Sequence, residues 1–164
     1  MFSFPRRHKW VLCLLLFIGL LLPVAGDGCF GPKLFIGLDG SVRQETLYAL
    51  VSIYIKEKTG TETAAVHLDG ASPAEVLTAD KADLVFCEKI PPAGRVVFKK
   101  EEMPFIVSGE RPQSDLQFTL VIPALKKLSG LLPANDFSSL VQAVASGAPP
   151  LATAREFLDS RGWL

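Results

Sequence analysis

The chain has few of the residues that build metal centres and catalytic sites. Its 164 residues include only two histidines and three cysteines, and their spacing matches no zinc site. No nucleophile–base pair and no glycine-rich phosphate loop is present. Basic residues form no stripe interleaved with aromatic residues, which is the usual signature of nucleic-acid binding. We therefore expect a non-enzymatic protein that uses no cofactor, no metal and no nucleic-acid partner.

The N-terminus carries the longest apolar segment. Arg6, Arg7 and Lys9 precede apolar residues 10–24, and small residues follow. This order of basic, apolar and small residues predicts an export signal peptide over residues 1–26. The apolar segment is short for a membrane span, which needs ~20 apolar residues. An uncleaved N-terminal anchor is the alternative. The expected location is the periplasm or cell envelope.

Cys29 follows the predicted cleavage point and allows two further interpretations. Cleavage after Gly26 leaves residues 27–164, one domain by length, with net charge −3 (14 basic against 17 acidic residues). Lipid attachment to Cys29 would instead anchor the protein to a membrane, although the residues before it lack the aliphatic residue of a lipoprotein box. Cys29 and Cys87 could form a disulfide in an oxidising compartment, or remain two independent thiols.

The first half of the predicted domain alternates strand and helix. Three short apolar runs, at residues 33–38, 62–68 and 82–88, have the pattern of buried strands. Between the first two, apolar residues recur at three- and four-residue spacing, which predicts a helix ending at Gly60. Its apolar face consists of Leu47, Leu50, Val51, Tyr54 and Ile55. Such an alternation predicts right-handed crossovers and a parallel sheet.

Both predicted helix starts carry capping signals. Ser41 is placed to cap the long helix, with Gln44 completing a capping box. Ser72 caps a short helix that has Pro73 at its first position and Glu75 three residues after the cap.

The second half of the chain has a different pattern. Residues 94–100 and 104–110 predict two more strands, residues 114–122 fit either a strand or a helix, and helices are predicted within 123–130, 134–147 and 150–163. The fold class we expect is α/β, a three-layer α/β/α sandwich with a mostly parallel sheet of about five strands.

Two sequence blocks, in the same order, resemble one protein family. In the first, "KLFIGLDGSVRQETLYALVSIYIKEKTG", a strand with "IG" precedes a helix that carries Gln44 and closes on Y-x-x-E-K-T-G at residues 54–60. In the second, residues 122–164, the matching positions are Pro150, Ala154, Phe157, Leu158, Gly162 and Leu164. Both are similar to substrate-binding proteins of ABC transporters for glycine betaine, choline and related osmoprotectants. The resemblance implies a type-II periplasmic-binding-protein fold.

The chain departs from this family in two ways. Relatives carry a second lobe between the two blocks, whereas here about 30 residues (87–118) occupy that position, too few for another domain. The chain therefore resembles one lobe. Of the family's first ligand loop, S-K-x-[FW]-T-E-Q, only Gln44 matches, and its Y-P-E-Y-T-G-T stretch is replaced at residues 85–88.

An aromatic cage for a quaternary ammonium group is not expected from this lobe. After removal of the signal, Tyr48, Tyr54 and Trp163 are the only tyrosines and tryptophans. Tyr48 and Tyr54 lie about 120° apart around a helix, so they do not share a face. We expect Tyr54 and Trp163 to pack in the core.

The candidate ligand residues lie where the first two strands end. Backbone N–H groups at a helix start favour a carboxylate, but Asp39 could satisfy them itself, and the turn at residues 69–72 has the same two interpretations. Asp39, Asp69 and Glu88 would cluster at the carboxyl ends of parallel strands, to bind a cation or to remain solvated loop acids. We expect His67 to be a structural histidine. The candidate ligand-binding set is Asp39, Ser41, Gln44, Asp69 and Ser72.

Two functions remain open at this stage. The resemblance implies an exported solute-binding-like protein that binds a small zwitterionic or anionic solute and serves an ABC permease. The alternative is a single-lobe interaction module that forms a homodimer or docks on an envelope partner, because a lone lobe exposes the surface its partner lobe would cover.

Overall fold

The first half of the domain alternates strand and helix, as the apolar pattern predicts. The computed structural model describes residues 31–164, which form one unit. Its elements here are β1 (Lys33–Leu38), α1 (Val42–Thr59), β2 (Glu62–His67), α2 (Pro73–Thr78) and β3 (Leu84–Cys87). The predicted signal peptide, residues 1–26, lies outside the described residues.

The second half contains two strands followed by helices. They are β4 (Arg95–Phe98), β5 (Phe105–Ser108), α3 (Arg111–Ser114), α4 (Val121–Leu131), α5 (Ala134–Ala145) and α6 (Pro150–Ser160). The ambiguous residues 114–122 form no strand: α3 ends at Ser114, a 3₁₀ turn spans Leu116–Phe118, and α4 begins at Val121. Asp115 favours this turn, because its carboxylate accepts a 2.9 Å hydrogen bond from the backbone N–H of Gln117. None of the helices within residues 31–164 combines the length and hydropathy that crossing a bilayer requires.

The five strands form one mixed sheet in the order β2-β1-β3-β5-β4. β1 pairs in parallel with β2 and with β3, while β5 runs antiparallel to both β3 and β4. The expected strand number and the α/β class are confirmed, but β5 departs from the mostly parallel arrangement. Only residues 99–104 join β4 to β5, and a parallel crossover needs a dozen or more residues.

The two faces of the sheet belong to separate apolar clusters. The larger cluster joins one face to α1, α4, α5 and α6, with Leu34, Ile36 and Phe86 among its strand residues. The smaller cluster joins Val85 and Val107 on the other face to α2. Tyr54 is buried in the larger cluster, and Trp163 packs against it edge-on to Phe157 with ring centroids 5.5 Å apart. The expected packing of these two aromatic residues is confirmed.

A buried carboxylate joins β1 to the segment after β5. Asp83, just before β3, is only 5% exposed and accepts a 2.8 Å hydrogen bond from the backbone N–H of Phe35. Arg111 lies 3.3 Å from the other carboxylate oxygen and also donates to the backbone carbonyl of Lys33 at 3.0 Å. Burial raises the pKa of Asp83. The hydrogen bond from Phe35 and the charge of Arg111 act to lower this pKa, but burial has the larger effect.

Candidate functional site: a cleft at the carboxyl ends of the parallel strands

A cleft of about 560 Å³ opens where β1, β2 and β3 end. From β1 the chain passes through α1 to β2, which flanks β1 on one side in the sheet. It then passes through α2 to β3, which flanks β1 on the other side. The loops after β1 and β3 therefore diverge, and ligands of open α/β sheets bind in the crevice at such a point. Polar and charged lining residues are Asp39, Gln44, His67, Asp69, Glu88 and Lys89. The cleft is within the usual size range of small-molecule sites.

The start of α1 satisfies its own backbone donors. Asp39 accepts a 2.8 Å hydrogen bond from the N–H of Ser41, and the Ser41 hydroxyl accepts one from the N–H of Gln44 at 3.4 Å. The expected capping box is formed only in part, because the Gln44 side chain bonds the N–H of Asp39, at 2.8 Å, rather than that of Ser41. Self-capping thus occupies donors that a bound carboxylate would need.

The turn before α2 forms the complete capping box that its sequence predicts. The Glu75 carboxylate accepts from the N–H of Ser72 at 2.8 Å, and the Ser72 hydroxyl accepts from the N–H of Glu75 at 3.3 Å. The hydrogen bonds that this carboxylate accepts from the backbone N–H and from the hydroxyl of Ser72, both at 2.8 Å, lower the pKa of Glu75. Asp69 has a left-handed backbone conformation, with φ of 47°, and lines the cleft. Neither Ser41 nor Ser72 lines it. Of the five candidates, the cleft brings together Asp39, Gln44 and Asp69.

Gln44 is the most buried polar side chain of the cleft lining. It is 2% exposed, and its amide oxygen is identified by the hydrogen bond from the N–H of Asp39. The amide nitrogen, Nε2, makes no hydrogen bond to any of residues 31–164. Within the same residues, the one fully enclosed side-chain polar atom without a partner is the Tyr54 hydroxyl. Gln44 is also one of the residues that line the cleft.

Carboxylates from three strand ends give the cleft an acidic character. Asp39, Asp69 and Glu88 line it, against Lys89. Arg43, on α1, lies 3.8 Å from Glu88 and donates to the backbone carbonyl of Glu102. Within residues 31–164, no three His, Cys, Asp or Glu side chains are grouped to hold a metal ion. The acids share the cleft without converging on one point.

The cleft lining also includes His67, Lys89 and Phe86, which are not among the five candidate residues. His67, expected to be a structural histidine within a strand, is exposed at the end of β2 and lines the cleft. Lys89 was not a candidate, although its position next to Glu88 at a strand end could have indicated it. Phe86 is the only aromatic side chain of the lining among the described residues, and it is fully buried.

Cys87 is a buried residue of the cleft lining, and its thiol is protonated at neutral pH. Burial, and secondarily the negative charge of Glu88, raises its pKa to about 11, so it is a poor nucleophile at neutral pH. Cys29 lies outside the described residues. Its lipidation and its pairing with Cys87 therefore stay predictions.

Comparison with known proteins assigns no family to this fold and cleft. No family model, no characterised protein and no solved structure matches the chain.

Proposed function

We propose that this protein is an exported solute-binding-like protein, related to the glycine betaine and osmoprotectant-binding components of ABC transporters and reduced to one lobe. The observation that carries the proposal is the polar cleft at the strand ends, formed by Asp39, Gln44 and Asp69. Its position matches where open α/β sheets bind ligands. Delivery of the solute to an ABC permease and location in the periplasm or envelope are parts of the same proposal.

The distribution of helices supports the finer fold assignment within this proposal. α1, α4, α5 and α6 pack on one face of the sheet and α2 on the other, which is compatible with a three-layer sandwich. We take this arrangement as one lobe of a type-II periplasmic binding protein, an assignment supported further by the two sequence blocks.

The charges of the cleft favour a zwitterionic solute over an anionic one. Asp39 already occupies the N–H of Ser41, and the carboxylates of Asp69 and Glu88 would repel a free anion. A solute with a positive group is attracted by the same carboxylates, while Gln44 Nε2 can donate to an oxygen on it.

Isothermal titration of the purified protein tests this function. The panel consists of glycine betaine, choline and a set of amino acids. We expect saturable heat with a dissociation constant below about 1 mM for at least one zwitterion. The variant Asp69→Asn should weaken that binding, while Glu156→Gln, on the exposed surface of α6, should leave it unchanged. No heat from any member of the panel would refute the proposal.

A second candidate function is an interaction module, and exposed apolar side chains near the cleft favour it. Val42, at the start of α1, is 41% exposed, and Ile90, just after the lining residue Lys89, is 50% exposed. Exposed apolar groups of this kind are typical of partner surfaces when they form a continuous patch. In this alternative the protein forms a homodimer or docks on an envelope protein. Analytical ultracentrifugation distinguishes the two: a concentration-dependent dimer that Ile90→Ser abolishes, together with silent titrations, would support the module.

A further inference from the structure

We infer that the cleft selects solutes whose positive group is a primary or secondary ammonium rather than a quaternary one, and whose other end accepts hydrogen bonds from Gln44. The inference rests on the proposed solute-binding function and specifies its substrate class. The ligands it points to are amino-acid-like, with N–H donors at one end and a carboxylate or carbonyl oxygen at the other.

The aromatic content of the cleft argues against a quaternary ammonium. Such a group has no N–H donor and is held by cation–π contacts with the faces of aromatic rings. Phe86 is the one aromatic lining residue in the described part of the chain, and it is fully buried. Tyr48 and Tyr54 do not line the cleft, and the Tyr48 hydroxyl lies 3.5 Å from the Thr63 hydroxyl instead. A trimethylated nitrogen therefore finds no cage here.

The carboxylates of the cleft suit an ammonium that carries N–H groups. Charge-assisted hydrogen bonds from N–H to carboxylate are stronger than neutral ones. Only one oxygen of Asp39 is engaged, by the N–H of Ser41, and Asp69 makes no side-chain hydrogen bond to any of residues 31–164. Glu88 has Arg43 at 3.8 Å, a distance that leaves its oxygens able to accept.

The cleft lining carries more negative than positive side chains. The charged and titratable lining residues are Asp39 after β1, His67 and Asp69 at the end of β2, and Cys87, Glu88 and Lys89 at the end of β3. Arg43, on α1, lies beside Glu88. The lining therefore has three carboxylates and one lysine, and Arg43 lies close to one of the carboxylates, Glu88. The excess of negative charge favours a cation in the cleft.

Gln44 provides an independent observation that points to a ligand. Gln44 is only 2% exposed, and its Nε2 makes no hydrogen bond to any of residues 31–164. Its orientation is determined, since the bond from the N–H of Asp39 identifies the amide oxygen. The two N–H donors of Nε2 therefore remain for an acceptor on the solute. A simple amine has no such acceptor.

A methylation series tests the ammonium preference. Glycine, sarcosine, dimethylglycine and glycine betaine differ only in N-methylation, and the matched pairs β-alanine with its betaine and proline with proline betaine extend the test to larger solutes. In titrations of the purified full chain we expect each amino acid to bind at least tenfold more tightly than its fully methylated partner. If a betaine binds as tightly as its amino acid, or more tightly, this inference is overturned while the proposed function stands. If no member of the series binds, this inference is overturned, and the proposed function is overturned with it when the wider titration panel gives no heat either.

Gln44→Glu tests the second half of the inference. Glutamate keeps an oxygen for the N–H of Asp39 but removes the two N–H donors, and a glutamate in the first turn of a helix is favourable. We expect at least a tenfold loss of affinity for the best-bound amino acid and no loss for its decarboxylated amine, with an unchanged circular dichroism spectrum. Unchanged amino-acid affinity would overturn the role of Gln44. Glu156→Gln, on exposed α6, serves as the control for a change of one charge.

Discussion

The backbone N–H of Asp39 donates a 2.8 Å hydrogen bond to the side-chain oxygen of Gln44, five residues further along the chain. This bond closes the turn between β1 and α1 and holds the amide of Gln44 at the cleft. The oxygen serves the turn, so the nitrogen remains for a ligand. One side chain thereby connects the local structure of the turn to the proposed recognition of a solute.

Replacing Gln44 by leucine should destabilise the protein through this turn. Gln44→Leu leaves the N–H of Asp39 without its partner at a part-buried position, which costs about 1 to 2 kcal/mol of unfolding free energy. Urea unfolding followed by circular dichroism measures the loss. Gln44→Glu, which keeps the acceptor oxygen, is the matched control. Equal stability of Gln44→Leu and the wild type would contradict the role of this bond.

Replacing Asp83 by asparagine should change how stability depends on pH. Burial raises the pKa of Asp83 above its unfolded value despite the Phe35 hydrogen bond and Arg111. Its contribution to stability is therefore complete below the unfolded pKa and is lost as pH rises through the folded pKa. Between about pH 7 and about pH 4, the unfolding free energy of the wild type should rise relative to that of Asp83→Asn, whose amide does not titrate.

Urea titrations of both proteins at several pH values measure this difference. Asp159→Asn, an exposed substitution on α6, provides the control for loss of one carboxylate at the surface. A difference that moves in favour of Asp83→Asn on acidification would show that Arg111 and the hydrogen bond outweigh the burial of Asp83.

Removing the hydroxyl of Tyr54 should not destabilise the fold. This hydroxyl is enclosed and has no hydrogen-bond partner among residues 31–164, and burial raises its pKa. An unpaired buried polar group opposes folding, so Tyr54→Phe should leave the unfolding free energy unchanged or raise it by about 1 kcal/mol. Tyr48→Phe is the comparison, because the Tyr48 hydroxyl lies within 3.5 Å of the Thr63 hydroxyl. A clear loss of stability in Tyr54→Phe would indicate a partner for this hydroxyl, such as a buried water.

Gly94 should tolerate no side chain, in contrast to Gly60. A Cβ at Gly94 would lie 2.7 Å from Val107 Cγ1 and 2.8 Å from the backbone oxygen of Ser108, and its φ is +86°. Strain and overpacking together should cost Gly94→Ala about 2 to 4 kcal/mol. Gly60, the left-handed cap of α1, has open space around it, so Gly60→Ala should cost only about 1 kcal/mol of conformational strain. Equal midpoints in urea unfolding would contradict the predicted contact between the Gly94 loop and β5.

Local signals were sufficient to predict most of the elements. The strand at Lys33–Leu38 has the predicted bounds, and α1 begins after Ser41 and ends before Gly60 because a hydroxyl cap and a left-handed glycine terminate it. α2 begins at Pro73 for the same local reasons. The short helix Arg111–Ser114 was not predicted, since a single turn of helix leaves no apolar period to detect.

The candidate site could be predicted only in part. Asp39 and Asp69 were identified because residues after parallel strands meet at one edge of a sheet. Ser41 and Ser72 were candidates too, but their hydroxyls cap their own helices and neither lines the cleft. A capping serine and a ligand-binding serine have the same sequence pattern, so the direction of the side chain decides between them.

The sequence by itself determined the strands, the capped helices and the polar residues that follow the strands, because each of these depends on neighbours within a few positions. The tertiary structure decided the position of β5 between β3 and β4, which depends on pairing between distant segments. It also decided that Gln44 would be buried at the cleft with its oxygen bonded to Asp39 and its nitrogen without a partner among the described residues. Burial arises from the packing of α1 against the sheet, and no local pattern specifies which atoms of a side chain that packing leaves open.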